Sequence, residues 1–110
     1  MTQQEVKEMI NDSIRKLRDY NAIAESRIDN LTYRKDDIEK GRQLLLEIQR
    51  GELFEDGSGR NTEYELLVGE EEFRGLRKEL RKTNNLVSLL KGEISLKVYR
   101  QKDNRINSSL

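Results

Sequence analysis

Five cations crowd the nine residues from 74 to 82: Arg74, Arg77, Lys78, Arg81 and Lys82. Their spacing of i, i+3, i+4, i+7 and i+8 lines all five along one flank of an α-helix. A flank of this kind can neutralise phosphates or hold another anion, with arginine offering two parallel hydrogen bonds to each anionic group. No aromatic residue interleaves the stripe, so stacking on bases is not offered. The acidic run immediately before it repels a polyanion. The stripe is therefore read first as a solvated flank paired with acids of the first helix, second as a protein contact, and third as a site for nucleic acid or a small phosphorylated ligand.

Other chemistry is hard to build from this chain. It has no His and no Cys, which removes the usual neutral-pH acid–base group and the thiolate nucleophile. No G-x-x-x-x-G-K-[ST] or G-x-G-x-x-G loop is present to cradle phosphate, and Gly57 to Gly59 form only a flexible turn. Glu70, Glu71 and Glu72 are consecutive, so on a helix they fan out and do not converge on a metal. The expectation is a protein that is not an enzyme, with no cofactor and no metal.

The formal charge is zero, with 21 basic and 21 acidic side chains in 110 residues. That balance hides a segregation. Residues 1–50 carry ten of each sign, residues 51–73 carry one base and eight acids (net −7), and residues 74–110 carry ten bases and three acids (net +7). An acidic middle and a basic tail could dock on each other between neighbouring molecules.

Long helices must position these charges. With 34% hydrophobic and 38% charged residues, and no Pro, Trp or Cys, the composition suits a narrow helical seam better than a thick core. From Leu66 to Lys97 one seam position is filled by Leu66, Phe73, Leu80, Val87 and Ile94, and the other by Gly69, Leu76, Thr83, Leu90 and Lys97. That is a heptad repeat. Earlier in the chain Ile10, Leu17, Ala24, Leu31, Ile38 and Leu45 recur every seven residues, with Ile14, Asn21, Ile28, Lys35 and Arg42 as partners. Asn21 is either a register-setting seam residue or an exposed one on a helix that has drifted off the heptad. Asp12 with Lys16, Asp36 with Lys40, and Glu70 with Arg74 are acid-before-base pairs at i, i+4, each favourable on a helix.

These patterns predict one helical-hairpin domain over 1–102: a helix over 3–50, a turn over 51–61 and a helix over 62–102, followed by a frayed tail at 103–110. Arg50 and Gly51 supply the stop, Gly51 being suited to the left-handed conformation. Leu53 and Phe54 should fold back over the wide apolar end at Leu44–Leu46 and Ile48. Thr62 with Glu65 suits a capping box, although Glu63 to Val68 can also be read as a short strand. Gly75 and Gly92 fall inside the second helix, marking either a close neighbour or tolerance. The fold class is all-α: two long antiparallel helices, a helical hairpin or coiled coil, assembling into a four-helix or higher-order symmetric bundle.

The helix, glycine turn, helix layout resembles prefoldin-type coiled-coil chaperone subunits in outline only. No motif of that family accompanies it and no residue role is carried over. The short, charged style without Cys or His is shared with phage and mobile-element accessory proteins.

The functional expectation is an interaction module, a scaffold, adaptor or inhibitor, that forms a homo-oligomer and meets a protein partner. The candidate self-association seam is Ile10, Leu17, Leu31, Ile38, Leu45, Leu66, Phe73, Leu76, Leu80, Val87, Leu90 and Ile94. The alternative is a binder of nucleic acid or a small anionic ligand through the basic flank. No signal segment or apolar run of spanning length is present, so the expected location is the cytoplasm, with no membrane contact.

Overall fold

The computed structural model describes residues 1–54 and 61–92. It is all-α: helices α1 (Gln3–Asp29), α2 (Lys35–Gln49), α3 (Thr62–Val68) and α4 (Glu70–Leu90), with a 3-10 turn at Glu52–Phe54. The segment 63–68 is helical, which removes the strand alternative.

Thr2 starts α1 with a reciprocal cap. Its hydroxyl accepts from Glu5 N, and the Glu5 carboxylate accepts from Thr2 N, both at 3.1 Å. Two orphan donors of the first turn are thereby satisfied, and the hydrogen bonds to Thr2 hold the Glu5 carboxyl below its usual pKa.

The long first helix expected over 3–50 is broken. Leu31 has φ of +55°, Thr32 N donates to Arg27 O at 2.8 Å and Leu31 N donates to Ile28 O at 3.2 Å. This is a Schellman stop with leucine where glycine or asparagine is usual. The chain then doubles back: Arg27 pairs with Asp37 near the turn, and Lys16 with Glu47 further down. Helices α1 and α2 are therefore antiparallel, and a reversal at 30–34 precedes the turn expected at 51–61, of which residues 55–60 lie outside the described residues.

Helix α4 runs parallel to α1, contrary to the antiparallel pairing expected from the sequence. Arg18 meets Glu79 and Asn21 meets Thr83, at nearly constant separations of 61 and 62 residues, and an offset that stays fixed along both helices defines a parallel pair. Helix α2 lies antiparallel to α4, with Gly41 against Val87 at one end and Gln49 beside Arg77 and Leu80 at the other. The result is an up-down-up arrangement, with α3 beside the start of α1, where the Gln3 side chain donates to Leu67 O at 3.1 Å.

The buried face of α4 follows the predicted seam from Phe73 through Leu76, Leu80, Thr83 and Val87 to Leu90. On α1 and α2, Ile10, Leu17, Ala24 and Leu45 are buried, and Ile38 is half-buried. Lys35 and Arg42 are exposed, so neither belongs to the seam. Leu53 and Phe54 are buried with Leu45 and Ile48, and Phe54 meets the Phe73 ring edge-on at 6.2 Å. Asp12–Lys16 and Asp36–Lys40 form as ion pairs at 3.4 and 3.0 Å.

Asn21 is buried, and its Oδ1 accepts from the Thr83 hydroxyl at 2.7 Å. Asn21 Nδ2 donates to Glu79 Oε2, whose other oxygen accepts from Arg18 Nε, both at 3.3 Å. Polar groups satisfied in this way disfavour any sliding of α1 along α4, because slippage leaves them buried and unpaired.

The expected caps shift in three places. Asn61, and not Thr62, caps α3, its side chain accepting from Tyr64 N at 3.1 Å. Gly51 keeps an ordinary φ, whereas Gly69 (+96°) and Gly92 (+79°) take positive values. Gly92 therefore follows the end of α4 and is not interior to it, and Gly69 turns α3 into α4. The predicted boundary at 102, the tail at 103–110, the Gly57–Gly59 turn, and Ile94 and Lys97 lie outside the described residues.

Gly41 is the close approach. A Cβ there would sit 2.4 Å from Tyr20 Oη and 2.5 Å from Val87 Cγ2, whereas at Gly75 the nearest atom is Ile14 Cδ1 at 3.6 Å. Gly41→Ala should destabilise by about 1–3 kcal/mol through overpacking. Gly75→Ala should stabilise by up to about 1 kcal/mol through helix propensity. Urea unfolding midpoints of the two variants should move in opposite directions.

Tyr20 covers Gly41 and donates to the backbone carbonyl of Asp37 at 2.6 Å. Burial, with the Asp37 charge adding to it, pushes the phenol up to about 12 from 10.0. Between those values the unfolded chain has released the proton that the folded chain still holds, so stability present below pH 10 falls as pH rises toward 12. Thermal melts over this range should show that fall, and Tyr20→Phe should flatten it.

Candidate interaction surfaces

The five cations do lie on one helix, but they divide into two groups. Arg77 Nη1 is 3.0 Å from Glu65 Oε1, and that acid is buried. Lys82 Nζ is 2.9 Å from Glu25 Oε1 on α1. These two cations tie α4 to its neighbours. Arg74 and Arg81 are exposed and Lys78 is half-exposed, and none of the three forms an ion pair among the described residues. The open part of the stripe is thus three residues at i, i+4 and i+7, spanning about 10 Å of helix. Arg77 also borders a hollow of about 270 Å³ with Gln49, Phe54 and Leu80.

The candidate self-association seam divides as well. Ile10, Leu17, Leu45, Phe73, Leu76, Leu80, Val87 and Leu90 are buried inside the single chain. A second copy cannot reach them without unfolding the first, because their apolar surface is already covered. Among the described residues Leu31 and Leu66 are the seam members left open, at 82% and 83% exposure.

Sequence reasoning placed Leu31 in a seam and did not mark Tyr33. The structure brings both to the tip of the α1–α2 hairpin, where they line a hollow of about 140 Å³ with Ile28, Leu89 and Leu90. Tyr33 is itself 48% exposed. Beneath this hollow Ala24, Leu86 and Leu90 form a small apolar cluster joined by Ile28, Ile38 and Leu89. The available signal was Leu-Thr-Tyr just after Asp29-Asn30, a polar pair suited to ending a helix.

Leu31 is a costly choice at this position. A left-handed backbone disfavours any side chain with a Cβ by about 1–2 kcal/mol, and its exposure returns little burial. Leu31→Gly should therefore raise stability by about 1 kcal/mol, read as an increase in the melting temperature. A fall in that temperature would mean that Leu31 packs more than its exposure indicates.

No group of three or more His, Cys, Asp or Glu among the described residues is placed to hold a metal ion, and among them no helix is long and apolar enough to cross a membrane. Among the described residues the arrangement leaves open an apolar tip, the leucines of α3 and a short cationic stripe. Comparison of the chain with protein-family models, with curated proteins and with solved structures gives no match.

Proposed function

We propose that this protein is a non-enzymatic, self-associating interaction module that works as a scaffold, adaptor or inhibitor. The observation that carries this reading is Leu31, a large apolar side chain held outside the core in a strained backbone at the rim of an apolar hollow. A residue that lowers stability and is not buried at home is best accounted for by burial against another surface. The higher-order bundle expected from the sequence then joins complete helical units through their ends, since the interior seam is already used. A place in the cytoplasm, away from membranes, belongs to this reading.

A second reading rests on Arg74, Lys78 and Arg81, which have no ion pair among the described residues and could hold nucleic acid or a small phosphorylated ligand. The neighbouring acids Glu70 and Glu71 favour the first reading. Static light scattering at rising concentration should give a mass above the 13.0 kDa of one chain. A constant 13.0 kDa, together with salt-dependent binding of DNA, RNA or nucleotides that Arg74→Glu with Arg81→Glu abolishes, would sink the first reading and favour the second.

A further inference from the structure

The two ends of the bundle differ in the charges that stand beside their exposed apolar residues. Beside the start of α1, α3 presents exposed Leu66 and Leu67. Glu63 stands one turn earlier on the same helix, and Glu70 and Glu71 open α4 directly after the Gly69 bend. All three acids are exposed and form no ion pair among the described residues. About 40 Å away along α1, Leu31 and Tyr33 border the apolar hollow. The next two residues, Arg34 and Lys35, are exposed cations that also form no ion pair among the described residues, whereas the acids that follow them, Asp36 and Asp37, are paired with Lys40 and Arg27.

A leucine knob flanked by carboxylates therefore matches an apolar hollow flanked by cations. We propose that the Leu66–Leu67 end of one copy seats in the Leu31–Tyr33 hollow of the next, joining copies head to tail. This rests on the self-association reading above and specifies which surfaces meet. A two-fold contact between like ends would set Glu63, Glu70 and Glu71 against themselves, or Arg34 and Lys35 against themselves, and like-charge juxtaposition is unfavourable. A head-to-tail contact leaves one knob and one hollow unfilled after every addition, so it does not stop at a dimer unless a ring closes. The apolar contact is small beside the roughly 800 Å² per partner of stable complexes. Association is accordingly weak, concentration-dependent and screened by salt.

Sedimentation equilibrium of the full chain tests this, using wild type, Leu66→Asp (knob removed) and Leu31→Asn with Tyr33→Ser (hollow removed). Asparagine tolerates the left-handed backbone, and circular dichroism checks that each variant is folded. The wild-type mass should climb past that of two chains as concentration rises and should fall in about 0.5 M NaCl, where the Debye length is only a few ångströms. Each variant alone should stay monomeric. An equimolar mixture of the two should form a dimer and stop there, because only one knob and one hollow remain in working order.

If Leu66→Asp misfolds, Glu70→Lys with Glu71→Lys replaces it, and if the double variant misfolds, Arg34→Glu with Lys35→Glu replaces that. One replacement leaves the expectation for the mixture unchanged, whereas with both the reversed charges attract at the second junction and the mixture should grow past a dimer. A wild type that stops at a dimer, or two variants that fail to complement, overturns the head-to-tail contact while leaving self-association standing. A wild type that stays monomeric overturns both.

Discussion

The architecture depends on the chain reversal at Asn30–Thr32. Hydrogen bonds from the Leu31 and Thr32 amides back to Ile28 and Arg27 end α1, and from that point α2 must run against it. Once α2 occupies one side of α1, α4 can only enter the remaining groove, and the connection through α3 delivers it parallel to α1. The reversal also spends conformational energy, since a leucine holds the left-handed position. What makes it worthwhile structurally is the packing that follows: Gly41 lets α2 sit within touching distance of Tyr20 and Val87, a fit that any larger residue would obstruct.

Charge and polarity then fix the details that apolar burial leaves loose. Asn21 and Thr83 set the register of α1 on α4. Asp37 gathers three contacts at the hairpin: its carboxylate accepts from Arg34 N at 2.8 Å, its backbone carbonyl accepts from Tyr20, and Arg27 Nε stands 3.2 Å from Oδ1. That last pair is close enough for charge attraction, but its alignment does not make a hydrogen bond and leaves the buried Arg27 Nε without an acceptor. Glu65 with Arg77 and Glu25 with Lys82 fasten α4 in the same manner. Helix α4 is thus held by two of the cations that its sequence displays as a continuous stripe.

Much of this was legible in the chain and some was not, for identifiable reasons. The inward face of α4 could be read because a continuous helix keeps its periodicity, and Leu53 and Phe54 because an excess of leucines at 44–46 needed a cover. The break at 30–34 was hidden because both arms of the hairpin turn the same apolar stripe inward. Ile28 and Ile38 therefore look like steps on one helix when they lie on opposite sides of a turn. Leucine gives no local signal for a left-handed residue, and without proline or glycine the polar pair Asp29-Asn30 was the one mark at the spot. The parallel sense of α1 and α4 followed from that hidden break. Gly41 passed unnoticed for a related reason: glycine inside a helical pattern shows tolerance and close approach alike, and only the neighbours distinguish them.

The parallel pairing of α1 and α4 also has an electrical consequence. Two helices of 27 and 21 residues point the same way, while the opposing α2 has only 15, so the peptide dipoles do not cancel. The bundle carries a residual dipole with its positive pole at the end where α1 and α4 begin. Glu5, Glu70, Glu71 and Glu72 sit at that pole, and the cations Arg27, Arg34 and Lys91 sit around the opposite one. A molecule built in this way is a small bar with distinguishable ends, and its polarity comes from the order in which its helices are connected.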